Sequence, residues 1–260
     1  MSSPDAPGGG RGRGRPRPNR HGRPPREPRP PIWARPAPRA RGPVATLSLD
    51  QIADTALAIA DTEGLDAVSV RRIARELRAG PMSLYNYFDS RDELLELMAD
   101  RVAAEMVVPG TLPADWREAL KAIALQSLGA FTRHPWLQTA LHDRMRVTPN
   151  LLRHIEQSAQ SISGLAERGV DPGLLGTIVA AVDDFTVGYA IRERFGIQPE
   201  ERARGLFEGF EEPHLRALLD SGEFPLVRTF IEGGRNLPES NRFEQGLEWL
   251  LDGFEAKLGL

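Results

Sequence analysis

The sequence predicts an all-α protein preceded by a tail that builds no core, and three observations carry this. No segment of the 260 residues alternates apolar and polar side chains with the period of two that a half-buried strand requires. From Ser48 onward apolar side chains recur at three- and four-residue intervals, with Ser, Thr or Asp at the starts and Gly at several stops. Residues 1–45 are instead dense in Arg, Pro and Gly and nearly free of aliphatic side chains, so they bury too little to offset the entropy of ordering. The expected division is a disordered tail over 1–45, a small helical unit over 46–92 and a larger helical domain over 93–260.

Each element has its own warrant. Ser48 with Gln51 has capping-box form and opens a helix carrying Leu49, Ile52, Ala56, Ile59 and Ala60, which Gly64 stops. Ser69 caps "SVRRIAREL", with Val70, Ile73, Ala74 and Leu77 on one face and Arg71, Arg75 and Arg78 on another. Arg78-Ala79-Gly80 connects to "PMSLYNYF", where Pro81 suits a first helical turn. Ser90 and Glu93 form a second capping box for a helix to about Val107. Trp116 to Arg133 reads as a helix, and a short one begins at Pro135. Thr148-Pro149 starts a helix to about Arg168, and Asp171-Pro172 starts one to about Phe195, closed by Gly196. Residues 197–240 are broken by Gly and Pro, with one helix expected near His214 to Leu219, and the last helix starts at Ser240.

Charge and composition narrow the function. Residues 1–45 hold eleven arginines against Asp5 and Glu27, a net +9, so the total of −3 leaves −12 on the remainder. A basic arm on an acidic body meets either a polyanion or the body itself. The absence of cysteine excludes disulfides and thiolate chemistry. The charged N-terminus lacks the apolar segment of a secretory signal, and no later stretch is expected to reach the ~18–20 apolar residues of a membrane span, so a cytoplasmic location is expected. Lys121 and Lys257 are the only lysines, the Arg bias of a GC-rich genome. There is no Gly-rich phosphate loop, G-x-S-x-G or H-E-x-x-H, and Asp183 and Asp184 point about 100° apart on one helix. No enzyme activity, cofactor or metal is expected; His134, His142, Asp183 and Asp184 remain polar candidates without metal-ligand spacing.

Two short helices joined by about three residues, braced by a preceding helix, have the form of a helix-turn-helix, in which one helix enters the major groove of DNA. Ser83, Tyr85, Asn86 and Tyr87 offer hydroxyl and amide groups to phosphates. A plain helical hairpin with solvated arginines is the alternative on pattern alone.

The segment "VSVRRIARELRAGPMSLYNYFDSRDELLELM" resembles the DNA-binding domain of the tetracycline-repressor (TetR) family. The likeness rests on Gly64-Leu65-Asp66, Ile73-Ala74, Leu77, Ser83-Leu84-Tyr85, Phe88 and "SRDELL", and covers residues 47–98; "RFEQGLEWLLDGFEAKL" also resembles the last helix of one branch of the family. The resemblance implies that Ser69, Ser83, Tyr85, Tyr87 and Arg91 hold phosphates, with Asn86 beside them, while Leu84 and Phe88 are core. It makes Arg71 the candidate for gripping a base edge. The sequence departs from the commoner pattern at Gly80-Pro81-Met82, where Pro81 and Met82 leave only apolar contacts, such as a thymine methyl. The implied protein is a homodimeric regulator, a repressor released from palindromic double-stranded DNA by a small apolar or aromatic effector. An architectural DNA binder acting through the tail, or a helical enzyme, are the alternatives.

Within the larger domain, Ile178, Val182, Phe185 and Tyr189 form a stripe on one helix, and Phe243, Leu247, Leu250 and Phe254 form another on the last; together they are the expected dimer interface, with monomer core as the alternative. Gly246 and Gly253 would permit close helix approach. The expected effector pocket draws on Met98, Val102, Met106, Leu128, Phe131, Trp136 and Asp183, with Leu125, Leu137 and Ile155 as further lining. In the tail, "RGRGRPRP" resembles an AT-hook, making Arg11, Arg13, Arg15 and Arg17 auxiliary minor-groove contacts. A solubilising tail and a start set too early are the other readings.

Overall fold

Ser48 begins the body as its spacing predicts. Its hydroxyl accepts from the Gln51 N–H and the Gln51 carboxamide accepts from the Ser48 N–H, both at 3.0 Å. Helix α1 follows as Leu49–Glu63, and Gly64 ends it at φ 86°, in the left-handed region. The structure is a computed structural model that describes residues 30–35, 47–137, 146–194, 212–234 and 242–259.

A short 3₁₀ turn leads to α2 (Val70–Glu76), capped by Ser69, and α3 is a single turn, Pro81–Leu84, with Pro81 first in the helix. Between them the chain makes a Schellman turn. Ala79 N–H donates to Ala74 (2.8 Å) and Arg78 N–H to Arg75 (3.2 Å), leaving Arg78 at φ 51° where glycine is usual. Apolar faces of α1 to α3 meet through Ile52, Ala56, Ile73, Leu84 and Phe88, all nearly or fully buried.

Helix α4 (Arg91–Met106), started by Ser90, packs on α1 and continues into the larger domain, where it meets α5 (Trp116–Arg133) and α6 (Pro149–Ser161). A single-turn α7 (Ser163–Glu167) precedes α8 (Pro172–Arg194), and α11 (Arg242–Leu258) closes onto α5 and α8. The core of this layer is Leu120 and Ala124 from α5, Ile178 and Val182 from α8, and Phe243, Leu247 and Leu251 from α11. Two ion clusters flank it: Arg117 reaches Glu248 (2.9 Å), Glu255 (2.6 Å) and Asp252, and Lys121 reaches Glu118 and Glu248. At the start of α6, Asp100 of α4 accepts from both the backbone and side-chain nitrogens of Asn150, each at 2.7 Å.

Several expectations need correction. The helix expected over 149–168 breaks at Ile162, because the hydroxyls of Ser158, Ser161 and Ser163 donate to nearby carbonyls and Ile162 turns into the core. The region 197–240 holds two helices among its described residues, α9 (Pro213–Asp220) and α10 (Pro225–Gly234); the second starts on a proline that had read as a breaker. In the tail, Pro30–Arg35 are described, and Ile32–Ala34 form one 3₁₀ turn closed by Arg35 Nε on the Pro30 carbonyl (2.9 Å), where two prolines preset the backbone. Pro172–Glu193, with mean hydropathy 1.5, is after all long and apolar enough to cross a membrane by composition, since its acidic pair interrupts an otherwise apolar helix. The helix expected from Pro135 is described only as a turn to Leu137. Arg11, Arg13, Arg15 and Arg17, His142, Gly196 and Ser240 lie outside the described residues.

Candidate nucleic-acid interface and regulatory core

Expected contact residues fall into two groups on α2, α3 and the start of α4. Arg71, Pro81, Met82, Tyr85 and Asn86 are exposed, Met82 at 77%. The others are occupied within the domain. Ser69 Oγ accepts from the Arg72 N–H (3.2 Å) as the α2 cap, and Ser83 Oγ donates to the Gly80 carbonyl (2.5 Å). The Tyr87 hydroxyl donates to the Leu47 carbonyl (2.6 Å), tying down the chain entry to α1. Arg91 donates to the carbonyls of Val68 (3.0 Å) and Leu65 (3.1 Å), bracing α2 against α4. A polar side chain in a motif cannot declare from sequence which of these uses it serves. Arg72 is likewise taken up by Glu63 (2.7 Å) and Glu76, which leaves Arg71 as the outward guanidinium at the start of α2.

The pocket residues are placed differently than expected. Met98, Val102, Met106, Phe131 and Leu137 are buried packing, Leu128 and Asp183 are half-buried, and Leu125 and Ile155 are exposed at 41% and 45%. Leu125 and Ile155 therefore do not line an enclosed pocket in this protomer: their helix faces meet nothing that covers them. Trp136 is also corrected, because its indole N–H is spent on Asp61 of α1 (2.7 Å). A polar cleft of about 540 Å³ lies elsewhere, between the α4–α5 connection (Gly110 to Trp116) and the end of α6 with α7 (Gln157 to Arg168), and contains none of the expected pocket residues.

Sequence reasoning missed Ser127 and His154. Ser127 Oγ on α5 and His154 Nδ1 on α6 are buried without a hydrogen-bond partner, a costly state for a polar atom. Burial lowers the His154 pKa, against the opposing pull of a bond to the Met106 carbonyl, and so keeps the ring neutral at physiological pH. On α8, burial and then the neighbouring Asp184 push the Asp183 carboxyl up to about 6. These three helices pack on one another. Among the described residues no cluster of His, Cys, Asp and Glu could hold a metal ion.

The two stripes expected at a dimer interface are largely core of one protomer. Ile178, Val182, Phe243 and Leu247 are at most 2% exposed, and Phe185, Tyr189, Leu250 and Phe254 pack around them. The stripes satisfy each other and α5, which leaves opposite faces outward: Gly176, Thr177, Ala180 and Asp184 on α8, and Gln245, Trp249 (67%) and Gly253 on α11. Only 28% of the apolar span of α8 is buried.

Comparison with known proteins agrees with this architecture. A family model described as "Bacterial regulatory proteins, tetR family" matches residues 52–98, and one described as "Tetracyclin repressor-like, C-terminal domain" matches 108–258. The HTH-type transcriptional repressor DrrR1 of Streptomyces coeruleorubidus is 36% identical over 234 residues, 86% of this chain and 83% of the relative. Among solved structures, the TetR family protein ActR of Streptomyces coelicolor is 30% identical with TM-score 0.65. In its complex with (S)-DNPA the match covers 82% of this chain and 100% of that one, and in its complex with actinorhodin 82% and 98%.

Proposed function

Because this chain belongs to the tetR family of bacterial regulatory proteins, we propose that it is a cytoplasmic, homodimeric repressor that releases a palindromic operator when a small aromatic effector binds its helical body. The observation that carries the DNA-binding half is the exposed set Arg71, Pro81, Met82, Tyr85 and Asn86 on a helix-turn-helix whose other polar groups are turned inward. Arg71 grips a guanine edge, Pro81 and Met82 meet thymine methyls, and Tyr85 and Asn86 contact phosphates. Ser69, Ser83, Tyr87 and Arg91 shape the domain and reach phosphates only with whatever donor capacity remains.

The outward faces of α8 and α11 pair with those of a second protomer, since a long apolar helix so little buried in one chain needs a partner. The effector's polar groups bond Ser127, His154 and Asp183, and its rings pack on the methionines and aromatics of α4 and α5. Support for an aromatic effector is the ActR relative, which is seen in complex with actinorhodin.

Footprinting on the DNA flanking the gene tests this reading. Arg71→Ala should lose affinity for the protected site by the equivalent of ~1–3 kcal/mol while binding to unrelated DNA stays the same. Equal loss on both would remove Arg71 from base reading. Titration of actinorhodin and related polycyclic aromatics against the bound complex should release the operator; no release by any aromatic ligand would overturn the effector class.

A further inference from the structure

The DNA-binding unit is joined covalently to the body through α4, and a single helix resists rotation about its own axis poorly. A second joint sits off that axis. Asp61, near the end of α1, accepts on one oxygen from His134 Nδ1 (2.9 Å) and from Trp136 Nε1 (2.7 Å), both just beyond α5. The two donors are 6% and 4% exposed and meet edge to face, with ring centroids 6.2 Å apart. Their backbone is fixed: His134 N–H closes α5 on Ala130 and its carbonyl accepts from Leu137, each at 3.0 Å. His134 Nε2 lies 3.3 Å from Glu105 Oε1 of α4, off the angle of a hydrogen bond, and Arg133 holds the other Glu105 oxygen (2.7 and 3.0 Å). The imidazole thus stands between a carboxylate of the DNA-binding unit and one of the connecting helix. The exposed Arg101–Asp54 pair (2.7 Å) also joins α4 to α1, but solvent screens it.

The geometry points to His134 and Trp136 as positioning residues that set the angle of the DNA-binding unit on the body through Asp61. Their N–H groups are buried, so leaving the Asp61 contact would strand two donors, and the joint is stiff for that reason. Helix α5 also carries Ser127 and Phe131 into the body, so a rearrangement inside the body that shifts the end of α5 moves α1 with it. The inference rests on the DNA-binding reading only for its functional consequence.

The chain has no cysteine, so one spin label can be placed on Met82→Cys and one on Leu152→Cys of α6, both exposed, and the labelled protein diluted with unlabelled chain. Pulsed electron resonance should give one narrow distance distribution for this parent and for Asp61→Asn, which keeps an acceptor oxygen. Asp61→Ala and His134→Phe should broaden it, while circular dichroism and the thermal midpoint confirm folded protein. In unlabelled protein, Asp61→Ala should weaken operator binding about tenfold and Asp61→Asn hardly at all, with the salt slope unchanged. Distributions unchanged in both Asp61→Ala and His134→Phe would overturn the joint. If the parent binds no specific DNA, the repressor reading fails, while the distance distributions still decide the joint.

Discussion

Asp183 is a carboxyl the folded body holds at a disadvantage. Its pKa stands at about 6 in the fold against ~3.9 in an unfolded chain, so from about pH 4 to pH 6 the folded state binds more protons. Stability from this group therefore falls as pH rises through that window and stays low above it, by roughly 2–3 kcal/mol. Asp183→Asn should raise the urea midpoint at pH 8 and leave it nearly unchanged at pH 4; an unaltered pH slope in the variant would mean that another group is responsible. The residue was visible in the sequence as an acid on an apolar helix, but its burial depends on α5 and α6, hundreds of atoms that no local pattern encodes. Tyr87 and Arg91 make the same point from the other side. Their residue types and spacing are those of phosphate contacts, and only the fold reveals that carbonyls of Leu47, Leu65 and Val68 already occupy them.

At the scale of elements, starts and stops were legible and destinations were not. Ser48, Ser69, Ser90 and Thr148 all cap as their spacing predicts, because a cap is decided within four residues. The interface stripes of α8 and α11 were found as stripes but assigned to the wrong neighbour, since periodicity identifies an apolar face without saying what covers it. The two glycines of α11 separate the neighbours. A Cβ at Gly246 would lie 2.8 Å from Cζ of Phe185, whose ring stacks on Phe243 at 5.3 Å, whereas one at Gly253 meets nothing in the protomer. Gly246→Ala should cost ~1–3 kcal/mol of folding stability through overpacking. Gly253→Ala should gain up to ~1 kcal/mol of helix propensity in the isolated protomer and weaken self-association, as read by analytical ultracentrifugation. Undiminished association in Gly253→Ala would move the dimer interface elsewhere on the surface.

For the whole molecule, charge is divided between a basic tail and an acidic body. If the tail arginines bind DNA, deleting residues 1–45 should weaken affinity and flatten its dependence on salt while leaving operator choice intact. An unchanged affinity and slope would reduce the tail to a solubilising role. The all-α class and the family were readable because they rest on patterns of a few residues repeated many times. The junction at Asp61 was not, because His134 and Trp136 lie 73 and 75 residues away and nothing in their own surroundings names the partner.

The ion cluster between α5 and α11 bears on how the chain is made. Arg117 finds its carboxylates 131 to 138 residues later, and Leu120 and Ala124 beside it wait for Phe243 and Leu247. At ~5–20 residues per second of synthesis, α5 therefore spends several seconds with its inner face uncovered before α11 leaves the ribosome. Asp100, by contrast, has already emerged when the first turn of α6 needs it. The half that reads DNA can close as it is made, while the regulatory half is completed by its last helix, and that interval is when chaperones have a surface to hold.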